Sequence, residues 1–177
     1  MNMGLLLRNV GRCIILLLLQ VLVLDNVYLG GYINPIIYVL FILMLPTGMN
    51  KIGMLMLAFC SGLVVDIFNN MLGFHAFACT LVAFLRVVYA DRILTKDDPK
   101  VISMPSVFTV GAQEYIGFLA LMLGLYNLIY FSLVVFDMHD WWRVLLLTLL
   151  STIVSMLLCL LYQAVFVQER EKVSYKK

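Results

Sequence analysis

Residues 62–86 read GLVVDIFNNMLGFHAFACTLVAFLR: an apolar run acquires an aspartate, turns, and resumes as a second apolar run. Asp66 lies close to the end of the first run. A carboxylate left in hydrocarbon costs roughly 3 kcal/mol on insertion scales, so Asp66 must reach the lipid-water boundary or find a partner. The stretch Asn69-Asn70-Met71-Leu72-Gly73 supplies that boundary, because Asn and Gly tolerate the left-handed backbone of a tight reversal. The reading is a helical hairpin whose two arms are joined by a few residues.

Outward from the hairpin, the whole chain has the same character. Of 177 residues 64% are hydrophobic and 12% charged, with a mean hydropathy of +1.04. Soluble domains hold roughly 45–50% apolar and about 25% charged residues, so this is an integral membrane protein. At about 20 residues per helical span the chain accommodates about six spans in a single polytopic domain, residues 1–177, with no separate soluble domain. The net charge of +2 is small and the basic residues are dispersed among the spans, which excludes a nucleic-acid-binding surface. Cys13, Cys60, Cys79 and Cys159 each fall inside an apolar run, with no CxxC or Cys/His spacing, and read as small buried apolar residues.

The expected spans follow in order. The first covers about Leu5 to Leu24, with Arg8 and Arg12 snorkelling from its first turns. It lacks a small-residue cleavage site and reads as a transmembrane helix, not a signal peptide. The loop DNVYLGGYIN, Asp25 to Asn34, has an interfacial composition. The second span is expected as a short helix from Pro35 to about Leu45, stopped by Pro46-Thr47-Gly48. The third covers Ile52 to Phe68, with Ser61 and Gly62 marking a close helix contact. The fourth covers about Leu72 to Ala90, the fifth Val107 to Phe136, and the sixth Val144 to about Val167. The polar connection 91–105 is a candidate contact surface, and FDMHDWW, Phe136 to Trp142, is again interfacial.

Placing the N-terminus in the cytoplasm puts ten of the twelve lysines and arginines on that side, so both termini are expected inside and the 69–73 turn outside. Within that topology three ionisable residues require an account. Arg86 and Glu114 fall at similar depth in the inner half, where the expectation is either a buried pair that fixes two helices or two side chains snorkelling separately. Asp66 and His75 flank the outer turn, where a turn cap or hydrogen bond is expected ahead of a proton relay, because no chain of further carboxylates crosses the membrane. Neither HExxH, GxSxG nor a phosphate loop occurs, and two separated histidines do not make a metal site. The expectation is a non-enzymatic scaffold without cofactor or metal.

The hairpin resembles the signature region of the bacterial rod-shape-determining MreD family, in which a span ending in G-x-x-x-D, here Gly62 and Asp66, precedes a short turn and a glycine, here Gly73. The segment INPIIYVLFILMLP, Ile33 to Pro46, resembles members of that family from Bacteroidota. The resemblance implies a non-catalytic subunit of the cell-elongation machinery in the bacterial inner membrane. Its implied partners are the scaffold MreC and, less directly, the MreB filament, the glycosyltransferase RodA and a class B penicillin-binding protein, alongside membrane lipids. It implies a fold similar to the substrate-binding subunits of energy-coupling-factor vitamin transporters, and such a subunit is the alternative reading. The AxxxA spacing those subunits carry on their first helix is absent from LLLRNVGRCIILLLLQVLVL. Gly62, Asp66, Gly73, His75, Arg86 and Glu114 are the candidate structural or partner-contacting residues.

Overall fold

A computed structural model describes residues 3–26, 33–46, 49–89, 112–135 and 141–166. Among them every regular element is a helix: α1 (Met3–Leu22), α2 (Val39–Leu43), α3 (Lys51–Asn69), α4 (Phe74–Tyr89), α5 (Ala112–Val135) and α6 (Trp141–Phe166). A 3₁₀ turn, Leu24–Asn26, closes α1. The expected intracellular loop 91–105 and the charged tail lie outside the described residues.

Four of the helices, α1 with its closing turn, α3, α5 and α6, are long and apolar enough to cross a membrane. Helix α4, with 16 residues, is shorter, about 24 Å at 1.5 Å per residue, and equally apolar. The protein is thus a multi-pass membrane protein. Its helix surfaces agree with that: Leu149, Ile153, Leu157 and Leu161 form an exposed i, i+4 stripe along α6. On the opposite side of the same helix Ser151, Ser155, Cys159 and Gln163 form a buried stripe with the same spacing. Lipid takes the apolar side and protein takes the polar one, the inverse of a soluble helix. Trp141 and Trp142 stand exposed at the start of α6, where an aromatic belt is expected.

The main packing runs α3 against α4, α4 against α5, and α5 against α6, with α1 and α2 placed against α3 and α4. The α3–α4 contact is the tightest. A Cβ at Gly62 would lie 2.5 Å from the Ala76 Cα and 2.7 Å from the His75 carbonyl oxygen, so the two backbones cross where only a hydrogen fits. The small-residue contact expected at Ser61-Gly62 is present, with both residues buried.

The second expected span needs correction. Residues Pro35 to Ile37 are extended, and only five residues, Val39–Leu43, are helical. Pro35 disfavours helical geometry at Asn34 before it, and the Ile36 and Ile37 N–H groups are taken by the side chains of Ser155 and Gln20. The segment is nonetheless buried throughout, from Pro35 to Pro46.

Candidate functional site

The hairpin turn is built by three local devices. Helix α3 ends on Asn70 in the left-handed region, φ 54°. The backbone N–H groups of Asn70 and Met71 both donate to the Asp66 carbonyl, the latter at 2.9 Å. Gly73, at φ +91°, then reverses the chain into α4, where its carbonyl accepts the Phe77 N–H at 2.9 Å. Left-handed backbone at an Asn and a positive φ at a Gly are the two places where those residue types carry the least strain.

The Asp66 side chain completes the turn. Its Oδ1 accepts the His75 backbone N–H at 3.1 Å and its Oδ2 accepts the Ala76 N–H at 2.8 Å. A carboxylate on the last turn of α3 therefore caps the first turn of α4, satisfying two N–H groups that no helical carbonyl can reach. The positive end of the α4 dipole stabilises the buried charge. Asp66 and His75 meet as a turn cap, through the histidine backbone and not its ring. The ring points elsewhere: Nδ1 lies 2.6 Å from the Tyr126 hydroxyl, which lies 2.7 Å from the Tyr38 hydroxyl, and Tyr130 stacks on the imidazole at 4.4 Å. This string joins α4, α5 and the segment leading into α2, all in buried positions.

The extended segment is held by side chains where a helix or sheet would use backbone. The Asn34 N–H donates to Ser151 Oγ at 3.0 Å and the Ile36 N–H to Ser155 Oγ at 2.8 Å. Two extended residues advance about 6.6 Å and four helical residues about 6 Å, so alternate amides of the segment fall into register with hydroxyls at i, i+4 on α6. From the other side, Gln20 on α1 accepts the Ile37 N–H at 2.9 Å and donates to the Pro35 carbonyl at 3.0 Å. Gln20 also donates to Asp25 Oδ1 at 2.7 Å, and Asn69 donates to Asp25 Oδ2 at 2.8 Å, tying the C-terminal ends of α1 and α3 together.

At the other end of the segment sits Arg86, 1% exposed. Its Nε donates to the Leu43 carbonyl at 3.2 Å, its Nη2 to the Leu45 carbonyl, and its Nη1 faces the Met54 sulfur. The carbonyls at the end of a five-residue helix lack intrahelical donors, and a guanidinium with five N–H groups supplies them. The expected alternatives for Arg86 and Glu114 are both corrected here. Among the described residues Arg86 is bound to backbone carbonyls and to no carboxylate, and at 1% exposure it does not snorkel. Glu114 stands exposed in the first turn of α5, where a carboxylate suits the helix N-terminus.

The structure therefore gathers Gly62, Asp66, Gly73 and His75 into one hairpin, with Gly62, Asp66 and His75 buried, places Arg86 at a second centre, and leaves Glu114 outside both. The sequence reading passed over Gln20, Tyr38, Tyr126, Ser151 and Ser155. One signal for two of them was present: Ser151-x3-Ser155-x3-Cys159-x3-Gln163 repeats at i, i+4 inside an otherwise apolar run. Among the described residues no group of three or more His, Cys, Asp or Glu side chains is placed to hold a metal ion. No protein-family model, no curated protein and no solved structure matches the chain.

Proposed function

We propose that this protein is a non-catalytic membrane adaptor of the bacterial cell-elongation machinery, of the MreD kind, binding an MreC-type scaffold in the inner membrane and so supporting lateral peptidoglycan synthesis. The observation that carries the reading is the hairpin itself. Gly62, Asp66 and Gly73, the residues of the resemblance, occupy the three positions where the hairpin needs a backbone crossing, a cap and a positive φ. Both oxygens of Asp66 and the guanidinium of Arg86 are engaged with backbone groups, an arrangement that spends buried charge on holding helices in place. A rigid bundle with apolar outer faces suits recognition of a partner's transmembrane helix through packing. In this reading the buried segment 33–46 counts as a crossing, which gives six passes with both termini cytoplasmic and an outward-facing 69–73 turn, and a bundle similar to the vitamin-binding subunits.

A second reading, a small-molecule-binding subunit of an energy-coupling-factor transporter, draws on that same unwound segment, because discontinuous spans accompany binding sites in transporters. Against it, the amides of Asn34, Ile36 and Ile37 are already bound by Ser151, Ser155 and Gln20. The deciding experiment is purification from native membranes through a C-terminal tag, with mass spectrometry of what accompanies the protein. Recovery of MreC and elongation enzymes supports the adaptor. Recovery of ATPase subunits with a bound vitamin overturns it.

A further inference from the structure

Around the 69–73 turn, polar and apolar side chains are sorted the opposite way from a turn in water. Asp66 is bound to two amides of α4, Asp25 to Gln20 and Asn69, and Asn26 to the Val21 and Leu22 carbonyls at 3.0 and 3.2 Å. Asn70 is exposed, its residue type set by its left-handed backbone. What the turn and its flanks present is apolar: Leu72 is 90% exposed, and Ile67, Phe68, Met71 and Phe77 are exposed around it. Single exposed apolar residues need no account, but a cluster of them does. Between Asp66 and Arg86 the sequence holds no Lys, Arg, Asp or Glu.

The depth of the turn follows from the register of the helices beside it. His75 meets Tyr126 at 2.6 Å and stacks on Tyr130, so the start of α4 is level with about residues 126–130 of α5. Thr152 bonds Asn127 at 3.1 Å and lies 4.0 Å from the Cβ position of Gly124, which puts it level with residues 124–127. From Thr152, helix α6 runs on to Trp141 on the turn's side of the bundle, about 16 Å at 1.5 Å per residue. His75 stands up to about 6 Å beyond Thr152, and α4 begins one residue beyond His75, so Trp141 overtops the start of α4 by roughly 10 Å. A tilt of about 20° changes this by less than about 1 Å. The exposed pair Trp141-Trp142 belongs at headgroup level, and each headgroup zone is about 5–7 Å thick.

We propose that the 69–73 turn is submerged, beneath the headgroups of the leaflet on its side, with lipid acyl chains packed on Ile67, Phe68, Met71, Leu72 and Phe77. Two independent observations meet here: the register sets the depth, and the inward binding of the Asp66, Asp25 and Asn26 side chains is what that depth demands of polar groups. A soluble domain on that side of the membrane meets the ends of α5 and α6 and not this turn. The inference rests on the membrane setting and not on the adaptor reading.

The test uses tryptophan fluorescence, because the chain has two tryptophans. Leu72→Trp is placed in a Trp141→Phe, Trp142→Phe background and compared with Trp141→Phe alone, which keeps Trp142. Both probes lie on one side of the membrane, so mixed insertion affects them equally. In vesicles of phosphatidylcholine brominated midway along its chains, the Trp at 72 is expected to be quenched several-fold more than Trp142, and by aqueous iodide several-fold less. Equal iodide quenching at the two sites puts the turn in water and overturns the proposal. Quenching of the Trp at 72 by neither agent means that protein covers the turn, which overturns lipid as its occupant. A second comparison needs no fluorescence: Leu72→Asp is expected to lower the yield of membrane-inserted protein well below that of Trp142→Asp, and equal yields overturn the difference in depth.

Discussion

Replacing Asp66 by alanine removes an acceptor for two backbone N–H groups, at 3.1 and 2.8 Å, in a position 1% exposed to solvent. Each N–H left unsatisfied in a buried setting costs about 1–3 kcal/mol. The favourable interaction of the carboxylate with the α4 dipole, about 0.3–1 kcal/mol and more when buried, is lost as well. Relief from burying a charge acts in the opposite direction and brings the expected net loss to about 2–4 kcal/mol. For a chain of this length 1 kcal/mol corresponds to roughly 2–4 °C, so the thermal midpoint in a mild detergent should fall by roughly 5–15 °C. Asp66→Asn keeps one acceptor oxygen and turns an amide N–H₂ toward the other donor, and its loss should lie between wild type and Asp66→Ala. Asp97→Ala, in the polar 91–105 connection, serves as the control and should shift the midpoint by less than about 2 °C. The measurement is the midpoint followed by size-exclusion chromatography after heating. If Asp66→Ala and Asp97→Ala shift it equally, the cap does not stabilise the hairpin and the reasoning fails.

The two glycines of the hairpin should respond to alanine for different reasons. At Gly62 a methyl group meets the Ala76 backbone at 2.5 Å, so Gly62→Ala should push α3 from α4 and cost several kcal/mol, read as lost yield of monodisperse protein. At Gly73 a methyl group meets nothing within 4 Å, and only the φ of +91° resists, so Gly73→Ala should cost about 1–2 kcal/mol, measured as a thermal midpoint shift of a few degrees. Arg86→Ala should strip donors from the Leu43 and Leu45 carbonyls and destabilise strongly, whereas Glu114→Ala should be nearly neutral; the double variant should be additive in thermal unfolding, and a large coupling would restore the ion pair that the geometry rejects. Ser155→Ala should cost about 1–2 kcal/mol through the freed Ile36 N–H, with Ser155→Thr recovering part of it, both read by midpoint.

How far the fold was legible in the chain differs by element. Long runs such as 141–166 are predominantly apolar, and their length alone makes them helices in a solvent that offers the backbone no hydrogen bonds. The hairpin was legible because each of its parts is a short-range rule: an Asn and a Gly at the reversal, a carboxylate on the last turn before it, small residues where backbones cross. Expecting a helix at 35–45 failed because hydrophobicity does not distinguish an extended buried segment from a helical one. What separates them is whether Gln20, Ser151 and Ser155, 14 or more residues away in sequence, supply the missing hydrogen bonds. The same distance hid the partner of Arg86. Depth in the membrane suggested Glu114, but a guanidinium can be satisfied equally by carbonyls, and which carbonyls are unoccupied depends on where α2 stops.

The sequence by itself determined that this is a helical membrane protein and that its chain reverses at Asn69–Gly73, because both follow from interactions between near neighbours and from the exclusion of bare backbone polar groups by lipid. Only the tertiary structure decided which polar side chains meet. Asp66 finds the α4 amides, His75 finds Tyr126, and Arg86 finds the end of α2. In an apolar surrounding each buried polar group takes whichever donor or acceptor the packed helices bring within 3 Å or so, and that proximity is a property of the packing, set by contacts far apart in the chain.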